Sequence, residues 1–282
     1  MTSSSNRIGL GTVQFGLDYG VSNKQGQTHI NEVRKIIETA KLKGLDLIDT
    51  ASAYGNAEEV LGQFDLSVFK VVSKFMPSEN VSLDTQLLES LKKLKIDKLY
   101  GYLAHRPLSL LKNNSWEALK DLKAQGLVEK IGYSLNEPSE LDALLNMSYF
   151  PDIIQVPFNY LDNRFVKHMM ELKDKGCEIH TRSTFLQGLF FMNPDNLISF
   201  FDEVKPLVRK LQKQYDSLQD NLLNYVLNKE FIDKVIIGVE NNKQFLLNLQ
   251  KLDIKENLPQ LNIKFSDKIL MPMYWPKNKD NE

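Results

Sequence analysis

Thiol chemistry is almost missing from this chain. Its 282 residues include one cysteine, Cys177, so neither an intramolecular disulfide nor a multi-cysteine metal site can form. Cys177 follows Gly176 at the start of an apolar segment and reads as an inert strand residue. Histidines are few as well. His29, His105, His168 and His180 stand far apart, without the short spacing of a zinc-binding helix, and no metal is expected. An excess of either charge is also absent, with 35 basic against 36 acidic residues and a net charge of −1. That balance removes the electrostatic footprint that a nucleic acid or an anionic membrane would need. No run approaches the roughly 18 apolar residues of a bilayer span. Residues 1–6 are small and polar rather than the apolar stretch of a secretory leader. The expectation is a cytoplasmic protein that works on a small molecule.

What the chain does have is alternation. Hydrophobic residues make up 42% and charged residues 25%, enough for a sizeable core under a soluble surface. Short, nearly continuous apolar runs at 7–11, 45–49, 69–74, 99–104, 129–133, 153–157, 178–183 and 234–238 have the character of parallel strands covered by helices. Stretches of helical period lie between them at 31–43, 83–94, 116–125, 139–147, 164–175, 204–215 and 218–228. In the first of these, Val33, Ile36, Ile37, Ala40 and Leu42 gather mostly on one face. Lys43-Gly44, Gln125-Gly126 and Lys175-Gly176 each close a helix with a glycine that tolerates positive φ. Length alone admits one large domain or two ordinary ones, but no linker rich in Pro, Gly or Ser divides the chain. The reading is α/β: a single (β/α)8 TIM barrel of parallel strands over residues 1–282. Its core falls at about 7–250, and the segment 251–282, interrupted by Pro259, Pro272 and Pro276, is expected to be irregular.

In such a barrel the ends of strands two, three and four are neighbours on the C-terminal rim, where barrel active sites form. Those three strands end in ionisable residues: Asp49, Lys74 and His105. Tyr54 follows five residues after Asp49, in the loop capping the same rim. Singly, each has an ordinary role as loop hydrogen-bonder, packed ring, solvated strand end or core histidine. Together at consecutive strand ends they make a site. A phenol is a poor acid at neutral pH unless something stabilises its phenolate. An adjacent Lys74 ammonium would do so through its charge, and Asp49 would hold Lys74 charged and in place. His105 could orient a carbonyl and hydrogen-bond its oxygen as negative charge develops there. The group has a proton donor and an oxyanion stabiliser but no nucleophile beside a base. Carbonyl reduction fits, with hydride from a cofactor.

The segment Asp49-Thr-Ala-Ser-Ala-Tyr54-Gly-Asn-Ala-Glu58 resembles the aldo-keto reductase family, as do Gly9-Leu-Gly11-Thr12 before it and Ile154-Gln155-Val-Pro-Phe-Asn159 after it. The likeness runs from about Arg7 to Asn248, with the four ionisable positions matching in order. It implies that Tyr54 is general acid and base, that Lys74 and Asp49 tune it, and that His105 helps bind the carbonyl of an aldehyde or ketone, with a sugar or sugar derivative, a simple aldehyde and a keto acid all open. It also implies cofactor contacts. Gly11 and Thr12 would lie beside the nicotinamide, and Ser134 and Gln155 would hold its carboxamide. The family's Ser-Asn pair reads Ser134-Leu135 here, with Asn136 adjacent. Arg182 stands where many members stack an aromatic ring; a guanidinium there either stacks or binds an anionic substrate group. Gly238, Glu240, Gln244 and Asn248 fall in the segment resembling the adenosine-phosphate motif after strand eight. Glu240 suits a free ribose 2′-hydroxyl and so NAD, whereas the family tendency is NADP, with Lys243 able to offset the carboxylate. Both cofactors stand.

Other residues read less specifically. Arg106 is first a salt-bridge partner and otherwise a substrate or structural anchor. Phe185, Phe190, Phe191 and Met192 read as packing, or as a rim loop closing over ligand. Trp275 either reaches back to the rim or packs elsewhere. Two rival functions remain at this point: a cofactor-binding regulatory subunit with little turnover, and a barrel isomerase that needs no nicotinamide.

Overall fold

The computed structural model describes residues 4–23, 25–112, 115–252, 254 and 258–276. Its strands are β1 (Ile8–Gly11), β2 (Leu47–Asp49), β3 (Lys70–Phe75), β4 (Leu99–Ala104), β5 (Val128–Ser134), β6 (Ile153–Pro157), β7 (Glu178–Arg182) and β8 (Lys234–Gly238). All pair in parallel and in sequence order, and β8 closes on β1. This is the (β/α)8 barrel that the alternation implies.

The helices Ile30–Leu42, Leu83–Leu94, Ser115–Ala124, Pro138–Asn146, Val166–Asp174, Lys205–Gln214 and Leu218–Leu227 lie where helical period appears in the sequence. Local chemistry sets their limits. Ser82 Oγ accepts from Thr85 N–H (3.2 Å) at the start of Leu83–Leu94, satisfying a first-turn donor. At the other ends Gly44, Gly126 and Gly176 take φ of +72°, +78° and +86°, turning the chain back toward the next strand. The sequence reading lacks two short helices beside the site, Val13–Gly16 and Ala57–Leu61. Four or five residues are too few to show a period.

Strand residues pointing outward, among them Ile8, Leu10, Ile48, Val71, Ile154 and Ile179, join the apolar helix faces in the main core. The inward set is layered, because alternate residues share a face. At the N-terminal mouth Tyr100 Oη donates to Glu178 Oε2 (2.6 Å), Lys130 pairs with the same carboxylate, and His180 Nε2 lies 2.7 Å from Oε1. Burial would raise the Glu178 carboxyl, but bonds with His180, Lys130 and Tyr100 hold it well below the usual carboxylate range. Next come Leu47, Val72, Leu103, Ile153 and Ile236, a separate apolar layer. Two residues further along the same strands stand Asp49, Lys74, His105, Gln155 and Gly238. That third layer is the rim.

A second apolar cluster joins the loop after β7 to the C-terminal segment through Leu186, Phe190, Phe201, Leu270 and Trp275. Trp275 is buried, meets Phe201 edge-on at 5.0 Å and donates Nε1–H to Ile269 O (3.1 Å), so it is core rather than rim. The segment expected to be irregular contains two short helical stretches, Asp267–Leu270 and Pro272–Tyr274; residues 277–282 lie outside the described residues. Cys177 is buried, and burial pushes its thiol up to about 12, which keeps it unreactive. No helix among the described residues is long and apolar enough to cross a membrane.

Candidate active site

Register brings the four ionisable residues together. On β2 and β3, Asp49 pairs with Val72, so Lys74, two residues beyond Val72, projects inward beside Asp49 from the adjacent strand. On β3 and β4, Phe75 pairs with Ala104, and His105 N–H donates to Phe75 O (3.0 Å) immediately after. The Tyr54 loop is tied down at both ends. Ser52 donates to Lys74 O from its N–H (3.0 Å) and its hydroxyl (3.0 Å), while Ala57 N–H donates to Tyr54 O (3.0 Å). Gly16 packs directly on this loop, and a Cβ added there would stand 1.8 Å from Tyr54 O.

Lys74 is fully buried. Its Nζ donates to Asp49 Oδ1 (2.9 Å) and Oδ2 (2.7 Å) and to Thr50 O (2.9 Å), with a longer bond to Tyr54 Oη at 3.4 Å. Burial alone would push the ammonium down, but the Asp49 charge, Tyr54 and its hydrogen bonds hold it above its ordinary value. Lys74 therefore stays cationic beside the phenol. Asp49 is held in turn: Gln155 Nε2 donates to Oδ1 (2.7 Å), and Thr12 donates to the Asp49 carbonyl from N–H (3.1 Å) and Oγ1 (3.0 Å).

The His105 ring meets Tyr54 edge-on, with centroids 5.8 Å apart. Burial, followed by the Lys74, Arg182 and Arg106 charges, lowers its pKa to about 3. A neutral imidazole can donate a hydrogen bond to a carbonyl oxygen without adding a proton to the reaction. The same shift has a consequence for stability. An unfolded chain takes up this proton near 6.5, the folded one only near 3, so the unfolded state binds more protons in between. The stability His105 contributes is complete above 6.5 and is lost as pH falls toward 3. We expect His105→Asn to lose less stability than wild type between pH 7 and pH 5, read as urea unfolding free energies. Equal losses would show that His105 does not carry this term.

Tyr54, Asp49 and His105 open onto a cleft of about 540 Å³ at the C-terminal rim. Of the residues singled out for a cofactor, Gly11, Thr12, Ser134, Gln155, Arg182, Gly238, Glu240 and Gln244 line the same cleft. Asn248 does not: it is buried and accepts a hydrogen bond from Gln219. Glu240 N–H donates to Gln244 Oε1 (2.7 Å), closing the turn after β8, and burial raises the Glu240 carboxyl. Arg182 bridges strands, its Nη2 donating to Leu135 O (2.9 Å) and Asn136 Oδ1 (2.7 Å). Leu135, where the Ser-Asn pair would place an asparagine, is buried core, and Asn136 lines the cleft instead. The salt bridge expected of Arg106 is absent among the described residues; Arg106 lines the cleft as an exposed residue. Phe185 and Phe191 line the cleft while Phe190 is buried behind them.

Several cleft residues carry no motif and escape a linear reading. Gln14, Tyr19, Met271 and Met273 are among them, and Gln187 Nε2 donates to Tyr19 Oη (3.0 Å) between the loops after β7 and β1. Gln14 Oε1, Gln155 Oε1 and the Thr184 hydroxyl are buried, lack hydrogen-bond partners and belong to lining residues. Buried polar atoms are normally paired. Acceptors of this kind fit the amide and hydroxyl donors of a nicotinamide nucleoside.

The family model described as Aldo/keto reductase family matches residues 7–270. The chain belongs to the aldo/keto reductase family. Among curated relatives, an NAD/NADP-dependent indole-3-acetaldehyde reductase of Schizosaccharomyces pombe is 29% identical over 174 residues, covering 58% of each chain. Methylglyoxal reductase DkgA of Escherichia coli is 31% identical over 130 residues, 43% of this chain and 46% of that one. The chain thus aligns with about half the length of these relatives. Among solved structures, the holo form of aldo-keto reductase AKR11C1 from Bacillus halodurans superposes with a TM-score of 0.71 at 18% identity, covering 89% of this chain and 88% of that one. An aldo-keto reductase of Klebsiella pneumoniae in complex with NADPH gives 0.64 at 20% identity, covering 98% and 93%. At those identities the superpositions establish the (β/α)8 fold.

Proposed function

We propose that this chain, acting as one barrel domain, is a nicotinamide-dependent reductase of aldehydes or ketones that also runs as an alcohol dehydrogenase. The observation that carries the reading is Lys74 Nζ, fully buried and bound to both Asp49 oxygens, 3.4 Å from Tyr54 Oη. When bound, the cofactor supplies a hydride to the carbonyl carbon. Tyr54 gives its proton to the carbonyl oxygen, and Lys74 stabilises the phenolate that remains. His105, neutral, donates a hydrogen bond to that oxygen as its charge grows. Asp49 keeps Lys74 charged and in place. Gln155 and Ser134 would hold the nicotinamide amide, and Gly11, Gly238 and Arg182 would line its place in the cleft. Glu240 supports NAD(H), because a carboxylate hydrogen-bonds a free 2′-hydroxyl and repels a phosphate. The reductase and oxidoreductase names of the relatives support catalysis over the regulatory alternative.

Tyr54→Phe tests the reading. The variant is expected to lose about 10²- to 10⁴-fold in kcat with a panel of reactive aldehydes. Fluorescence titrations with NADH and NADPH should give unchanged Kd values. Full turnover in Tyr54→Phe would refute the assignment; no binding of either cofactor by the wild-type protein would return the isomerase reading.

A further inference from the structure

The charges around the tetrad do not cancel. Lys74 and Asp49 neutralise each other, and Arg164, which also lines the cleft, is paired with Asp162 (2.9 Å) and Asp267 (3.1 Å). Arg106 and Arg182 have no such partner. The described residues place no carboxylate within 4.0 Å of either, and the Arg106 side chain has no hydrogen-bond partner among them. Arg182 is only partly exposed, and its three hydrogen bonds go to neutral acceptors: Leu135 O, Asn136 Oδ1 and Ser183 Oγ (3.3 Å). A guanidinium carries five N–H groups, so donors remain for a ligand. Both cations act on His105, together with Lys74, in lowering its proton affinity. Arg106, exposed at the edge of the cleft, and Arg182, half-buried in it, give the space beside His105 a positive potential that favours an anion.

Position says which anion. The remaining cleft carboxylate, Glu240, follows β8. Arg106 follows β4, four strands away in a closed ring of eight and so diametrically opposite. The β8 side is where the proposed cofactor's adenosine end would lie. Arg106 stands beside His105, on the side left for the carbonyl compound.

We propose that the substrate is an oxyanion-bearing carbonyl compound, an aldehyde or ketone carrying a carboxylate or phosphate that Arg106 engages as a fork while Arg182 adds its charge from β7. This inference rests on the reductase reading for the identity of the reacting group, but not for the anion. An arginine–oxyanion pair gives planar, two-point recognition, and it fixes the carbonyl against His105 and Tyr54 by its distance from the anionic group.

The test compares 4-formylbenzoate, 4-formylphenyl phosphate and the neutral methyl 4-formylbenzoate as substrates of the 282-residue chain with NADH and NADPH. Wild type should prefer at least one anionic aldehyde to the ester in kcat/KM, and Arg106→Ala should reduce that preference by about 10- to 100-fold. Arg106→Lys, which keeps the charge without the fork, should restore part of it. The preferred anion separates a carboxylate from a phosphate. Calorimetric titration with 4-(hydroxymethyl)benzoate and 4-(hydroxymethyl)phenyl phosphate gives a readout without turnover: binding of one should weaken in Arg106→Ala. An acid-to-ester ratio near one in wild type, or a ratio unchanged by Arg106→Ala, overturns the proposal and leaves the reductase reading standing. Failure to turn over any of the aldehydes, with Arg106-dependent binding of an anion intact, sinks the reductase reading and keeps the anion site.

Discussion

Replacing Lys74 with methionine is expected to lower kcat for aldehyde reduction by about 10²- to 10⁴-fold and to cost about 3–5 kcal/mol of stability. Both effects come from one atom. Lys74 Nζ is the cation 3.4 Å from the phenol and also the group that saturates a carboxylate only 3% exposed. Methionine fills the space of the side chain but leaves Asp49 with the Gln155 amide as its remaining side-chain donor. Removing one partner of a buried pair exposes the other to its full desolvation cost, whereas removing both is far milder. The Lys74→Met/Asp49→Leu double variant should therefore recover most of the lost stability while remaining inactive. Urea unfolding and single-turnover kinetics on the four proteins of this cycle measure the two effects separately. A double variant no more stable than Lys74→Met would mean that the pair is not the source of the loss.

The second large effect comes from a residue with no functional group. Gly16→Ala is expected to reduce kcat by about 100-fold and stability by about 1–3 kcal/mol. The new methyl carbon would stand 1.8 Å from Tyr54 O and 2.5 Å from Ala57 N, both backbone atoms. No rotamer change can relieve such a contact. The loop holding Tyr54 has to move, while Lys74 stays fixed by Asp49 and Thr50. A displacement of about 1 Å of one catalytic group against another is enough for a rate loss of this size. Gly26→Ala is the control: it also lies in the loop after β1, and an added carbon there meets nothing within 4 Å, so kcat should hold although its φ of +74° costs about 1–2 kcal/mol of stability. A Gly16→Ala enzyme with wild-type kcat would show that the loop yields without moving the phenol.

The barrel was legible because its evidence is repeated along the chain. Eight short apolar runs, helices of clear period and glycine stops at Gly44, Gly126 and Gly176 agree with one another, and each would be weak alone. The tetrad was legible for a related reason: Asp49, Lys74 and His105 end consecutive strands, and parallel register delivers strand ends to one rim. What could not be read is chemistry set by contacts between loops. Tyr19 and Gln187 meet across 168 residues, and neither stands in a motif. Asn248 sits in a recognisable segment, yet Gln219 from a neighbouring helix takes its side chain away from the cleft. The choice between stacking and anion binding at Arg182 depended on Asn136 and Leu135, which reach it from β5, two strands away. Arg106 offered a salt bridge by composition, and only its surroundings show that no carboxylate among the described residues pairs with it.

The apolar layer formed by Leu47, Val72, Leu103, Ile153 and Ile236 lies directly beneath the reacting groups. It works as a septum, parting them from the ion-paired floor around Glu178. Among the described residues it closes the barrel side of the reaction chamber, which opens at the C-terminal rim. A proton spent by the phenol is therefore replaced from the rim, the side on which the alcohol leaves, so recharging the acid and clearing the chamber are linked.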